Sequence, residues 1–387
     1  MTNNNDKKVL NVPLLRFPEF TEEWKEQCLA EYLDFKNGLN PSANKFGSGI
    51  KFISVMDILN NNFITYDCIR TSVKITPEEQ VAFAVEKGDM LFQRSSETLE
   101  DVGRANVYMD ENPAVFGGFV IRGKKKTEYN PMFFRYLLAS PYARKKIIPM
   151  GAGAQHFNIG QDGLSKVKLH FPILQEQQKI AALLRLIDER ITTQNKIIED
   201  LNKLKSAISE CIFNSIKGDV VMLSEICDIV KGKQINGEYL FESGEYYVMN
   251  GGTEPSGYYS EYNVKANTIS ISEGGNSCGY VQFNNFPFWS GGHCYSLQNI
   301  ADIVDNLYLY HYLKSKEEAI MKLRIGSGLP NIQKKDLAMF KTIVPPFEQQ
   351  ITISTFLSSL ERKAEIEERI LNVMQKQKLY LLQQMFI

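Results

Sequence analysis

The sequence predicts an α+β chain in which two mixed α/β domains alternate with two long helices. The helices pack as an antiparallel coiled coil, related by an internal pseudo-twofold repeat. Three observations carry this prediction. The chain repeats itself, each copy begins with short β-branched or aromatic runs, and each copy ends in a helical stretch free of Gly and Pro.

The repeat comes first, because a missed period misassigns a whole fold. Phe171-Pro-Ile-Leu-Gln-Glu-Gln-Gln178 returns as Val344-Pro-Pro-Phe-Glu-Gln-Gln350, with Pro172 and Pro345 lying 173 residues apart. At that offset Asn158 falls on Asn331, Ile180 on Ile353, Leu184 on Leu357 and Asp188 on Glu361. Upstream, Leu29-Ala-Glu31 with Asp34 and Gly38 matches Leu223-Ser-Glu225 with Asp228 and Gly232, at an offset of 194. Gly117-Gly118 answers Gly291-Gly292 at 174, so the second copy is about 21 residues shorter and the loss precedes the glycine pair.

The elements follow in order. Lys51 to Val55, Asp89 to Phe92, Phe116 to Ile121, Tyr246 to Met249, Thr268 to Ser272 and Tyr280 to Phe283 read as short strands. Proline then opens each helix, Glu176 to about Phe213 and Glu348 to about Phe386. The domains are therefore 1–174 and 216–347, and the helices 175–215 and 348–387.

In the first helix, positions spaced alternately by three and four hold Leu184, Ile187, Ile191, Gln194, Ile198, Leu201, Lys205, Ile208 and Ile212. Seven of these nine are apolar, the pattern of a coiled-coil seam. The second helix repeats it with Leu357, Leu360, Ala364, Glu367, Leu371, Met374, Lys378, Leu381 and Met385, polar at the same two places. A register in which facing numbers sum to about 572 sets Lys205 opposite Glu367 and Gln194 opposite Lys378. Each helix spans roughly 55 Å at about 1.5 Å per residue. Leu183, Ile197, Leu204, Phe356 and Ile370 lie off the seam, either for partner helices or for the coiled coil's own flanks.

With 44 Lys and Arg against 45 Asp and Glu, the 387-residue chain is no polycation, although local basic patches remain open to it. Six cysteines without a C-x-x-C pair suggest neither a zinc ribbon nor a disulfide framework, and fit a reducing cytoplasm. The polar start, Met1 to Lys8, lacks the order of a signal peptide, and no apolar run approaches the roughly 18 residues of a membrane span. The four histidines show no metal-ligand spacing.

Two recognition-sized domains alternating with two long helices, the repeated P-x-L-x-E-Q-like helix entry, and the opening Val12-Pro-Leu-Leu-Arg-Phe-Pro-Glu-Phe20 with Trp24 together resemble the specificity subunit of type I restriction and modification enzymes. The resemblance covers essentially the whole chain and rests on the order and duplication of the motifs. It implies that each domain is a target-recognition domain reading one half of a split, asymmetric sequence in double-stranded DNA, with the helices setting the gap. It further implies a non-catalytic scaffold for two modification (methyltransferase) subunits and two restriction (translocase and nuclease) subunits. Adenine methylation and cleavage would then belong to those partners, as would S-adenosylmethionine, ATP and magnesium, leaving no cofactor in this chain and no membrane partner.

DNA readout needs Arg or Lys for guanine, Asn or Gln for adenine, and bases on phosphates. From Arg122 to Lys168 ten basic residues face two acidic ones, a local charge of +8 suited to phosphate or simply to a solvated face. Lys124, Lys125, Arg144, Lys145 and Lys146 are its candidate contacts. The loop Gly151 to Asn158, with Gln155 and His156, recurs as Ile325 to Asn331 after Arg324; it is either a backbone dock or a shaping turn. Polar loops that differ between the copies add Asn44, Lys45, Gln93, Arg94, Ser95 and Arg104 in the first, and Lys233, Gln234, Tyr258, Asn276 and Tyr280 in the second.

Catalytic patterns fail on context. Gly275-Asn-Ser277-Cys-Gly279 lies between strand-like runs and not at a strand-to-helix elbow. Val344-Pro-Pro-Phe347 echoes an adenine methyltransferase motif but offers Val344 where an Asn or Asp acceptor is required. A methyltransferase with a variant motif, and a coiled-coil scaffold that does not bind DNA, are the competing functions.

Overall fold

A computed structural model describes residues 11–153, 155–326 and 330–387. They group into two compact units, Met1–Asn195 with Ile370–Ile387, and Lys196–Arg369. The unit boundaries fall inside the helices, so each unit holds a segment of both.

In the first unit the chain enters through the strand Lys25–Cys28, antiparallel to Lys168–Phe171, the strand that leads into the first long helix. A single helical turn, Leu29–Tyr32, is closed by Glu31, whose carboxylate accepts from the Cys28 N–H at 2.9 Å. A four-stranded antiparallel sheet follows, in the order Leu33–Asn37, Val120–Lys125, Met90–Gln93, Ala105–Val107. Beside it lies a three-stranded sheet of Ser72–Val73, Phe46–Ile53 and Val115–Phe116, the last pair parallel. The helix Pro131–Ala139, capped by the Asn130 side chain, buries Phe133, Phe134, Tyr136 and Leu137 against the larger sheet.

The second unit repeats this frame. Asp219–Met222 pairs with Lys341–Val344; the four-stranded order is Asp228–Lys231, Cys294–Gln298, Thr268–Ser272, Val281–Asn284. The three-stranded sheet comprises Tyr258–Tyr259, Tyr246–Met249 and Trp289–Ser290, again with one parallel pair. The extra length of the first copy includes two short helices, Val55–Asn60 and Pro77–Ala82, between Phe46–Ile53 and the glycine pair.

Phe116 to Ile121 is not one strand. Gly117 and Gly118 interrupt it, because Gly38 crosses there: a Cβ on Gly38 would stand 2.1 Å from the Gly117 carbonyl oxygen. Gly232 crosses Gly291 in the same way, at 2.2 Å. Lys51 to Val55 likewise ends early, giving way at Val55 to helix after Ser54.

The long helices run Leu174–Ser215 and Phe347–Gln384 and pack antiparallel. In the first unit Leu184 shares a core with Leu381 and Met385, and Asp188 meets Lys378 at 2.5 Å. In the second, Lys205 meets Glu361 at 3.7 Å, and Ile212 lines a cleft with Ile353. All eighteen seam positions are buried or half-buried, including Ile187, Ile191, Ile198, Leu201, Ile208, Leu360, Leu371 and Met374. The facing numbers sum to about 565, so the register expected at 572 is corrected by one heptad. Sliding an apolar seam by seven returns seam residues to seam residues, so periodicity alone cannot choose between the two registers.

The repeated helix entry is a latch. Gln177, buried, donates to the Pro172 carbonyl at 3.0 Å and accepts from the Asn130 N–H at 3.0 Å. Gln350 does the same to Pro345 and Asp305, at 2.8 Å each. Glu176 is fully buried and takes a two-pronged ion pair from Arg16, at 2.7 and 2.8 Å, so the opening motif and the helix entry are halves of one contact.

Candidate nucleic-acid interface

The strand pairing places several loops at one end of each four-stranded sheet. In the first unit, Asn37 pairs with Ile121, Gln93 with Val120 and Phe92 with Ala105, so the loops after Asn37, after Gln93 and before Val120 share that end. In the second, Lys231 and Ile271 both pair with Tyr295 and Ser272 pairs with Cys294, gathering the loops at Gly232, Glu273 and His293.

The glycine-rich loop joins this end in both copies. Ala152 and Asn158 bond each other through both backbone groups, and Phe157–Asn158 pairs with Ser95–Ser96. Ile325 and Asn331 do likewise, with Asn331 bridged to Gly274. The Ile159 N–H then donates to the Arg94 carbonyl at 2.9 Å, and the Ile332 N–H to the Glu273 carbonyl at 2.8 Å. The loop is thus a hairpin stitched to the sheet end, with Gln155 and His156 exposed on it; Ala154 and residues 327–329 lie outside the described residues.

Among the residues singled out from sequence, Arg94, Ser95, Arg104, Gln155, His156, Lys233, Gln234, Asn276 and Arg324 lie on these loops. Ser95 hydrogen-bonds Asn158, and exposed Arg104 pairs with Asp101 at 2.6 Å. Gln93 is different: it is buried, donating to the Ser95 carbonyl at 2.9 Å. Asn44 and Lys45 form a one-turn helix on the loop before Phe46–Ile53. Tyr258 sits on an edge strand, and the half-buried Tyr280 ring is covered by the Lys314 ammonium at 3.9 Å.

The basic run from Arg122 to Lys168 does not form one patch. Strand pairing carries Lys124 and Lys125 to the opposite end of the sheet, beside Asp34 and Leu33. Lys124 pairs with Glu86 at 3.5 Å, and Lys125 lies over Tyr129 at 5.2 Å. Arg122 is buried and donates to the Ala84 carbonyl. Arg144 grips the carbonyls of Glu100 and Val102 at 2.7 and 2.6 Å, and burial, with Arg104 nearby, pulls its guanidinium down to about 10. Lys146 pairs with Glu26 at 3.6 Å, which leaves exposed Lys145 the open neighbour. A linear count of charge cannot see these internal acceptors.

Sequence reasoning passed over Asn40 and Phe119, both exposed at the loop end. Their positions beside Gly38 and Gly118, aligned with Gln234 and His293, were the available signal.

The loop-bearing sheet end occurs twice on one frame with different side chains, and the two copies match one family. Residues 21–203 and 217–376 each fit the type I restriction modification DNA specificity domain. The chain belongs to that family. A relative described as a type I restriction enzyme specificity subunit in Methanocaldococcus jannaschii is 24% identical over 91% of this chain and 90% of its own length. A type I specificity subunit of Mycoplasma pneumoniae is 33% identical over 40% of this chain and 41% of its own. The fold of the type I system S subunit from M. genitalium superposes with a TM-score of 0.64 over 97% of this chain and 99% of that one, at 19% identity. The specificity subunit thus carries two target-recognition domains, and its family's part in restriction and modification is the choice of DNA site.

The methyltransferase-like Val344-Pro-Pro-Phe347 has a structural place in the subunit. Val344 is buried, ends a strand paired with Asp219, and leads into the second long helix; Phe171, its counterpart, is buried opposite Lys25. Neither presents an acceptor for an amino group. No helix among the described residues is long and apolar enough to cross a membrane.

Proposed function

We propose that this specificity subunit reads a split, asymmetric sequence in double-stranded DNA, one half per recognition domain, and assembles two modification and two restriction subunits around it. The chain supplies the choice of site and no chemistry. Methyl transfer, translocation and cleavage, with S-adenosylmethionine, ATP and magnesium, fall to the partners, in the cytoplasm.

The observation that carries this reading is the pairing of a constant frame with variable ends. Sheet order, glycine crossing, helix latch and hairpin stitch recur in both units, whereas the aligned loop residues Arg94 and Glu273 differ in charge. One scaffold with two unlike reading ends suits a target whose halves are unlike.

Mapping methylated adenines in the genome of cells carrying the complex tests it. The expected result is one split motif with an adenine modified in each half, lost when this subunit is deleted. The purified chain alone should transfer no methyl group, and binding by the assembled complex should weaken steeply with salt. Methyl transfer by the lone chain would overturn the assignment.

A further inference from the structure

The two recognition domains share a corner built around the second glycine of each glycine pair. A Cβ placed on Gly118 would fall 1.9 Å from Asn40 Oδ1, and one on Gly292 would fall 2.3 Å from Gln234 Oε1. Asn40 and Gln234 stand two residues beyond the crossing glycines Gly38 and Gly232, so they are counterparts in the repeat. Both are exposed, yet each carboxamide rests on a glycine that leaves room for it.

The residue after the glycine pair completes the corner. Phe119 is 67% exposed between buried Gly118 and Val120, and its counterpart His293 has a side chain 62% exposed, its Nδ1 3.8 Å from Glu273 Oε2 and its Nε2 on the far edge of the ring. A ring held in water at the same place in both copies, next to a carboxamide, is a combination that core packing does not require. Arg94 reaches the Gly118 carbonyl at 3.3 Å in the first domain, and Lys233 adjoins Gln234 in the second, so each corner has a base at its side.

We propose that Asn40 with Phe119, and Gln234 with His293, are the base-reading pairs of the first and second half-sites. A carboxamide presents the donor and acceptor that match the N7 and N6 positions of adenine in the major groove. Phe119 beside it contacts a thymine methyl group, whereas His293 offers a ring nitrogen to a base edge, so the two corners read different neighbours of a similar adenine. Seating on glycine restricts the carboxamide's rotamers and lowers the entropy lost on binding. This assignment rests on the proposed function and names the residues that perform it.

The test uses the assembled complex of specificity and modification subunits and a library of randomised duplex DNA, from which methylated molecules are recovered and sequenced. Asn40→Ala should relax one base pair of one half-site by about tenfold, leaving the other half unchanged, and Gln234→Ala should do the same in the opposite half. Asn40→Asp keeps the size and seating of the side chain but loses the donor, and should alter preference at the same base pair as Asn40→Ala. Phe119→Ser should weaken preference at an adjoining position of that half-site. The proposal is overturned if both alanine variants select the wild-type motif, or if each weakens every position in both halves alike. A wild-type complex that selects no split motif overturns instead the functional reading beneath it.

Discussion

Lys378 closes on Asp188 at 2.5 Å, and this contact is the repeat of Lys205 on Glu361: each member of the second pair maps onto the first at an offset of 173. The carboxylates also hold equivalent tyrosines. Tyr136 donates to Asp188 at 2.7 Å, and Tyr310 donates to Glu361 at 3.4 Å. In each unit one lysine from one long helix, one acid from the other and one tyrosine from a recognition-domain helix therefore meet, pinning the domain to the coiled coil and fixing its register.

The two pairs differ in burial, which predicts unequal mutants. Asp188 has a side chain 7% exposed, against 28% for Glu361. Asp188→Ala leaves Lys378 without its acid in a largely dry site and should cost about 3 kcal/mol. Glu361→Ala should cost about 1 kcal/mol, because water reaches its site. Denaturant unfolding of the two variants measures the difference, and equal losses would refute the burial argument.

The latch gives a second prediction. Gln177→Leu removes two hydrogen bonds and Gln350→Leu three, the third to the Ile303 carbonyl, and each strands a backbone N–H, at Asn130 and Asp305 respectively. Each should cost about 2 kcal/mol. Hydrogen exchange should accelerate at the start of the adjoining helix, Pro131–Ala139 or Asn306–Ser315, while the other copy stays protected.

A third concerns pH. His311 is buried against Ser358, with its Nε2 3.0 Å from the hydroxyl, and burial, reinforced by Lys205, lowers its imidazole from 6.5 to about 4. The unfolded chain takes up this proton near the ordinary histidine value and the fold resists until about 4, so between them the unfolded state binds more protons. This contribution is whole above pH 6.5 and is lost as pH falls toward 4. Glu361, raised by burial, has the opposite sign, and Asp305 partly offsets the histidine shift. The loss in thermal stability between pH 6.5 and pH 4 should be smaller in His311→Gln than in the parent.

A fourth tests the glycine crossing. Gly38→Ala and Gly232→Ala each drive a methyl group into a backbone carbonyl, with no flexible side chain to yield. Each should cost about 3 kcal/mol or leave the domain unfolded. Gly237→Ala, where a Cβ meets nothing within 4 Å, is the control and should change stability little.

Much of this was legible in the order of residues. The duplication, the two long helices and their seam depend on spacing along one chain, and spacing is what a sequence records. Asp188 and Glu361, by contrast, were visible only as repeat anchors. Their lysines were placed a heptad away, because a periodic seam scores alike in either register and the tyrosines that break the tie come from distant segments.

The candidate interface divided in the same manner. The hairpin loop and the differing loops were found from sequence because repeats and polar composition mark them. The basic run was overread, since strand direction sends Lys124 to the far end of the sheet and Arg144 turns inward to carbonyls. By itself the sequence determined a twice-used frame and its kinship. Tertiary structure decided the helix register, which charges stay available, and which side chains stand over the glycine pairs, because these follow from contacts between residues far apart in the chain.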